Sequence, residues 1–340
     1  MVRCYRPDWV HEVTMRTIDG RWWFEAHNDR IRKEIIGALA MAQRRTQVRV
    51  HAFTFMSNHY HGMFSADFPE QFSAFLQHFH AAIARIVNER WERAGKVWNG
   101  RAKVIPIAPD EESLLQRLDY LLGQNVKAGA GSHPLDWTGA SSTPWLLNGT
   151  PLVGLHRDQT AITLASRNGR DPGDLAKFTE ELTVEMSPLP CFEGRSEAEW
   201  RAQLIQIADE IAIRHGAMPG ATGSADAEQV LQAIAEATVV PTGRFEGVPS
   251  ALTENAERVR TSRTPERKAV KRVHAASREA RERLEAELDA FEEAYCAAAL
   301  QLQTESARLA AGQKARAVQF PQWSFPGQAG VWPRWPGLDQ

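Results

Sequence analysis

Two histidines, His59 and His61, stand two residues apart in the run Ser57-Asn58-His59-Tyr60-His61-Gly62-Met63-Phe64. Side chains alternate along a strand, so both imidazoles fall on one face and Tyr60 on the other. Two imidazoles so placed can share one divalent cation, each held in a single tautomer by a partner on its second ring nitrogen. The same pair also suits a hydrogen-bonded position in a core, and the spacing alone does not choose between the two. A second element is Tyr120-Leu121-Leu122-Gly123-Gln124. At a helical spacing of four, Tyr120 and Gln124 share a face one turn apart, so an amide oxygen can complete a metal site beside a phenol. A phenol with an ordinary pKa of about 10 is a weak nucleophile at neutral pH, and a cation helps chiefly by polarising a scissile phosphate and stabilising the charge that develops. The other reading of Tyr120 is a half-buried aromatic on an amphipathic helix. Of the four tyrosines in the chain, Tyr60 points away from the histidines by strand parity, Tyr5 precedes the first strand and Tyr295 falls in a distal helix. Tyr120 is the one well placed for chemistry.

The surrounding pattern supplies the elements that must hold these groups. Residues 9–17 alternate and are partly β-branched, which predicts a first strand. Asn28 opens a helix with Ile31, Ile35, Leu39 and Ala42 as its apolar stripe. Residues 47–55 and 59–65 read as a hairpin turning at 56–58. Residues 68–94 form a long helix with Phe72, Phe75, Phe79, Ile83 and Ile86 on one side, stopped by Gly95. Residues 103–107 are a short fourth strand. The acids of Pro109-Asp110-Glu111-Glu112 start a last helix carrying Leu114, Leu118, Tyr120 and Leu121. The order β-α-β-β-α-β-α predicts an α+β fold, a ferredoxin-like antiparallel sheet with one extra helix and the third strand central. A mostly helical C-terminal extension follows, with helices expected at 198–215 and 265–311. Residues 131–150 read as an exit loop packing back on the sheet, and 317–336 as a tail carrying Trp323, Phe325, Trp332 and Trp335.

The chain has 340 residues, 43% hydrophobic and 24% charged, which fits a globular protein with room for more than one domain. The expected division is a catalytic domain at 1–150, an acidic and partly irregular region of unknown role at 151–257, and a basic long helix with a Trp/Pro-rich tail at 258–340. Charge follows that division: residues 1–150 hold 18 Lys and Arg against 15 Asp and Glu, and 151–257 hold 8 against 17. Between Arg258 and Arg283 there are 10 basic and 3 acidic residues, a run that either tracks a phosphate backbone or is a solvated helix face. The three cysteines, Cys4, Cys191 and Cys296, lie far apart, with no metal-ligand spacing and no disulfide framework. No stretch approaches the roughly 20 apolar residues of a membrane helix, and residues 1–7 lack an apolar signal core, so a cytoplasmic protein without membrane contact is expected.

Taken together, Arg6-Pro7, Val13-Thr14-x-Arg16, His51-Ala52-Phe53-x-x-Met56-Ser57-Asn58-His59-Tyr60-His61 and Tyr120-x-x-x-Gln124-Asn125-Val126-Lys127-Ala128-Gly129 resemble the single-tyrosine HUH transposases, and among them the REP-associated tyrosine transposases. The resemblance covers about residues 3–147. Gln124-Asn125 stands where that family has Asn-Pro; Gln keeps the amide oxygen at the ligand position and adds a methylene. The resemblance implies a metal-dependent endonuclease and strand transferase on single-stranded DNA, in which Tyr120 attacks a backbone phosphate to leave a 5′-phosphotyrosine bond and a free 3′-hydroxyl. His59, His61 and Gln124 would hold Mg²⁺ or Mn²⁺. The implied partner is hairpin-bearing single-stranded DNA, held by Arg16, Arg44, Arg45, Arg101 and Lys127, and the protein would be a monomer or homodimer. The alternative is a domesticated, catalytically weak DNA-binding protein or regulator acting on repeat sequences. An RNA-binding module is disfavoured because the histidine face occupies the sheet centre, and a relaxase because no second tyrosine accompanies Tyr120.

Overall fold

The hairpin expected around residues 57 and 58 lies within the central sheet of the structure, a computed structural model that describes residues 4–167, 175–215 and 272–323. β1 (Val10–Arg16), β2 (Arg49–Met56), β3 (His59–Ser65) and β4 (Lys103–Ile107) form an antiparallel sheet in the order β2-β3-β1-β4. β3 and β1 are therefore the inner strands, as the ferredoxin-like connection order requires. The α+β architecture read from the sequence is the one observed, with a helical C-terminal region beyond it.

Two helices cover one face. α1 (Asp29–Thr46) starts where the Asn28 side chain accepts from the backbone amides of Arg30 and Ile31, and it buries Ile31, Ile35, Leu39 and Ala42. α2 (Pro69–Arg90) places proline in its first turn and buries Phe72, Phe75, Phe79 and Ile83 against the sheet. The opposite face is covered by α3 (Glu111–Leu122), whose cap Asp110 accepts from Ser113 N at 2.8 Å. The last helix does not run on through Gln124. It breaks at Gly123 and resumes as the short α4 (Gln124–Lys127).

Residues beyond 150 build onto this frame. After α5 (Thr143–Asn148), the hairpin of β5 (Val153–Arg157) and β6 (Thr179–Thr183) lies against α1, with α6 (Gln159–Arg167) between its strands. α7 (Glu197–Arg214), close to the helix expected at 198–215, joins Trp200, Leu204, Ala208 and Ile211 to Leu114, Leu118, Leu121 and Leu122 of α3 in one apolar cluster. α8 (Arg278–Ala310) starts later than the helix expected from 265: Ser277 caps it, accepting from Ala280 N at 3.0 Å, and the described residues 272–277 before it are not helical. Residues 258–271 of the basic run, the start of that expected helix at Pro265, and Phe325, Trp332 and Trp335 of the tail lie outside the described residues. No described helix is long and apolar enough to cross a membrane.

Both sheet edges are covered, which removes open strands that would otherwise pair with other chains. On β2, Phe55 N donates to Ala140 O at 2.8 Å and Ser187 N to Val50 O at 2.9 Å. On β4, Ala108 N donates to His274 O at 2.8 Å and His274 N to Pro106 O at 2.9 Å, so His274 meets Ile107 of β4 in a single parallel bridge.

The hairpin approaches α1 through two glycines. A Cβ on Gly154 would sit 2.1 Å from Gly37 N, and one on Gly37 would sit 2.2 Å from Leu155 O, distances that only glycine permits. Gly154→Val is expected to cost roughly 1–3 kcal/mol or more through this overlap. Thermal unfolding followed by circular dichroism checks it, and an unchanged midpoint would show that the hairpin is not packed on α1.

Candidate active site

Strand register assembles the site. β1 and β3 pair Arg16 with His59, Thr14 with His61 and Glu12 with Met63, so Glu12, Thr14, Arg16, His59 and His61 share the sheet face that looks toward α3. The two imidazole centroids are 5.2 Å apart, and the Tyr120 ring meets His61 edge-on at 5.4 Å. Burial of Leu114, Leu118 and Leu121 fixes the roll of α3 and leaves Tyr120 half-buried above the histidines. His59, His61 and Tyr120 are thus brought together.

Hydrogen bonds set the tautomers of both histidines. Nδ1 of His61 lies 2.8 Å from Glu12 Oε1 and 3.1 Å from Thr14 Oγ1. An ionised carboxylate only accepts, so Nδ1 carries a proton, and in the neutral ring Nε2 is the nitrogen that keeps its lone pair. Nδ1 of His59 lies 2.6 Å from Asn58 Oδ1, and the Asn58 amide is oriented by donation from its nitrogen to Gly20 O at 3.2 Å. His59 therefore has the same tautomer. Burial, helped by His61 and Arg16 nearby, pushes His59 down to about 3, so it stays neutral at physiological pH. Two imidazoles side by side, each with its Nδ1–H anchored, are an arrangement that suits a divalent cation.

Gln124 is half-buried, and its Nε2 donates to Tyr120 O at 2.7 Å, which folds the amide back along the helix and leaves its oxygen as the remaining donor to a cation. Asn125 is buried and donates to His133 O at 3.0 Å, a turn-holding bond. Among the described residues no group of three His, Cys, Asp or Glu side chains is arranged for a metal. Of the expected ligands, the structure brings His59 and His61 together, while the hydrogen-bond partner of the Gln124 side chain is Tyr120 O.

Tyr120 lies between two cations, with the Arg117 guanidinium 4.2 Å and the Lys127 ammonium 4.6 Å from its ring centroid. Burial pushes Lys127 below its ordinary value. The other tyrosines are placed differently. Tyr60 is fully buried, stacked on Phe55 at 4.7 Å and bonded to His80 Nε2 at 2.6 Å, and burial raises its phenol well above the ordinary range. Tyr5 is stacked on Phe72, and Tyr295 packs on Phe320 along α8.

Four residues at the site were not singled out from sequence: Glu12, Asn58, Arg117 and His274. Glu12 is 4% exposed; it accepts from Arg117 Nη2 at 2.5 Å and lies 2.6 Å from His274 Nε2, besides its bond to His61. Burial opposes its ionisation, but His274, His61 and the Arg117 charge outweigh that and hold its carboxyl well below the usual range. An acid inside the apolar run Val10-His11-Glu12-Val13 was the available cue. Among the basic residues, Arg16 is exposed beside His59 and Lys127 stands over Tyr120. Arg101 is exposed ahead of β4. Arg44 and Arg45 end α1, which packs on the other face of the sheet, and Arg44 pairs with Glu180 at 2.8 Å, so these two are not brought to the histidines.

No family model matches this chain, and no curated protein does. Among solved structures, a REP-associated tyrosine transposase bound to a REP hairpin is 16% identical, over 42% of this chain and 81% of that one, with a TM-score of 0.32. A candidate transposase from Deinococcus radiodurans R1 is 16% identical over 34% of this chain and 89% of that one, with a TM-score of 0.25. At such scores the likeness says nothing of this chain's chemistry.

If His59, His61 and Gln124 hold a cation, variants should respond in a graded way in calorimetric titration with Mn²⁺. His61→Ala should abolish detectable binding, and Asn58→Ala should weaken it about 10–100-fold by releasing the His59 ring. Gln124→Ala should have the smallest effect, since water replaces one neutral oxygen. Wild-type affinity in His61→Ala would remove the imidazole pair from the site.

Proposed function

We propose that the chain is a metal-dependent endonuclease and strand transferase acting on single-stranded DNA, with Tyr120 as its nucleophile. The observation that carries this is the juxtaposition of a half-buried phenol with two imidazoles whose Nδ1–H groups are anchored by Glu12 and Asn58. Mg²⁺ or Mn²⁺ held by His59, His61 and Gln124 would polarise the scissile phosphate. Tyr120 Oη then bonds to phosphorus and loses its proton while the P–O3′ bond breaks. The 3′-oxygen takes up a proton, and the 5′-phosphate remains on the phenol. The covalent bond keeps the phosphodiester energy, so the reverse attack by a 3′-hydroxyl needs no nucleotide cofactor.

The chain's own groups divide this work. His61 and His59 are fixed by Glu12 and Asn58, Arg117 and Lys127 place positive charge at the ring where a phosphate would approach, and Arg16 extends that charge past His59. Arg101 is a further candidate for backbone contact, and hairpin-bearing single strands are the substrate class.

Tyr120→Phe keeps the ring against His61 and removes only the oxygen. This variant should fold and bind a labelled single-stranded hairpin with near-native affinity, yet give neither a cut strand nor a covalent adduct on denaturing gels with Mn²⁺. In the wild type, mass spectrometry should find the 5′-phosphate on the peptide containing Tyr120. An adduct on Tyr5, Tyr60 or Tyr295, or cutting by the Phe variant at the wild-type rate, would overturn the assignment.

A further inference from the structure

The buried carboxylate of Glu12 gathers donors from three separate parts of the chain: His61 from β3, Arg117 from α3 and His274 from the segment bridged to β4. The third is set as firmly as the others. Two backbone hydrogen bonds to β4, at 2.8 and 2.9 Å, fix the His274 backbone, and its side chain is 8% exposed. Val273 packs with Cys4, Trp9, Ala108 and Leu284, and Ala276 N donates to Ser113 Oγ at 2.9 Å, so the segment is clamped between β4, α3 and α8. Glu12 Oε2 receives both Arg117 and His274, while Oε1 serves His61. Arg117 reaches Glu12 through Nη2 alone, and its Nε is buried without a hydrogen-bond partner.

We infer that His274 is a positioning residue of the active site: its donation to Glu12 holds the carboxylate that orients His61, so the centre is complete only when the C-terminal segment is docked on β4. The inference rests on the proposed metal-dependent function for its consequence in catalysis, though not for the geometry itself. Without the His274 donor, Oε2 is left to Arg117 alone, the carboxylate is free to swing toward it, and the His61 Nδ1–H bond at Oε1 loosens. Both the imidazole that faces the cation and the guanidinium over Tyr120 then lose their fixed reference.

Deleting the chain from 258 would remove His274 together with the whole of α8, so point variants of the full chain are the clean test. His274→Ala removes the donor, His274→Gln replaces it with an amide N–H, and Val273→Ala loosens the same segment without touching the bond. In the metal-free protein, the His61 Nδ1–H proton should be visible by nuclear magnetic resonance in the wild type because Glu12 protects it from exchange. It should broaden in His274→Ala and return in His274→Gln. Mn²⁺ affinity measured by calorimetry should fall about 10–100-fold in His274→Ala and recover in His274→Gln. In hairpin cleavage, kcat should fall with it while KM for DNA stays unchanged. The inference is overturned by a sharp His61 proton and wild-type Mn²⁺ affinity in His274→Ala, by His274→Gln behaving as badly as His274→Ala, or by equal losses in Val273→Ala at equal melting temperature. If the wild type cuts no DNA, the proposed function fails while the resonance still decides the role of His274; if the wild type shows no protected proton, the role of His274 fails by itself.

Discussion

A carboxylate in the middle of a sheet is costly to bury, and Glu12, on an inner strand, is ionised there only because three donors surround it. Removing one partner from such a buried charge generally costs about 3–5 kcal/mol, far more than an exposed ion pair is worth. The register of β1 on β3, the roll of α3 and the docking of the C-terminal segment must all agree for those donors to converge. A one-residue slip of β1 would turn Glu12 to the other face, into the apolar layer of Phe72, Phe75 and Phe79, where no charge is tolerated. The same carboxylate sets the tautomer of His61, so fold specificity and site geometry depend on one interaction.

The two faces of the sheet treat similar side chains in opposite ways. Tyr60 lies against Phe55, Phe79 and Trp98, shut away from water. Tyr120 stands on the other face, half-buried between two cations and beside an imidazole. Parity along β3 is what separates them, since a strand cannot point adjacent side chains to the same side. The dry face is built almost wholly from aromatic and aliphatic packing, which leaves the other face free to carry polar groups at its centre.

What was legible in the sequence was local. The stripe of Ile31, Ile35 and Leu39, the His-x-His parity and the hairpin turn each follow from periodicity within a few residues. The contact of Glu12 with His61 needs the pairing of two strands that are distant in the chain, and that of His274 needs a segment from the far C-terminal part to return to the β4 edge. No local pattern encodes either one. The break at Gly123 was within reach, because glycine ends helices, yet the apolar spacing through Leu121 and Leu122 favoured continuation. Trp200, Leu204, Ala208 and Ile211 recur at helical spacing, so α7 was visible as a helix, but its partner α3 was not. Arg44 and Arg45 show the opposite limit: charge is visible in a sequence, while the face it lands on depends on how α1 packs.

The two cations over Tyr120 differ in what holds them, and that difference bears on how a phosphate would enter. Arg117 cannot leave Glu12 without stranding a buried carboxylate, so its place beside the ring is fixed by the fold. Lys127 sits past the break at Gly123, on a four-residue helix, and makes no ion pair among the described residues. Partial burial already disfavours its charge, so an incoming phosphate offers it a better partner than the face of an aromatic ring. The site therefore joins a guanidinium held by Glu12 to a lysine that, under the proposed function, would exchange the ring face for a phosphate.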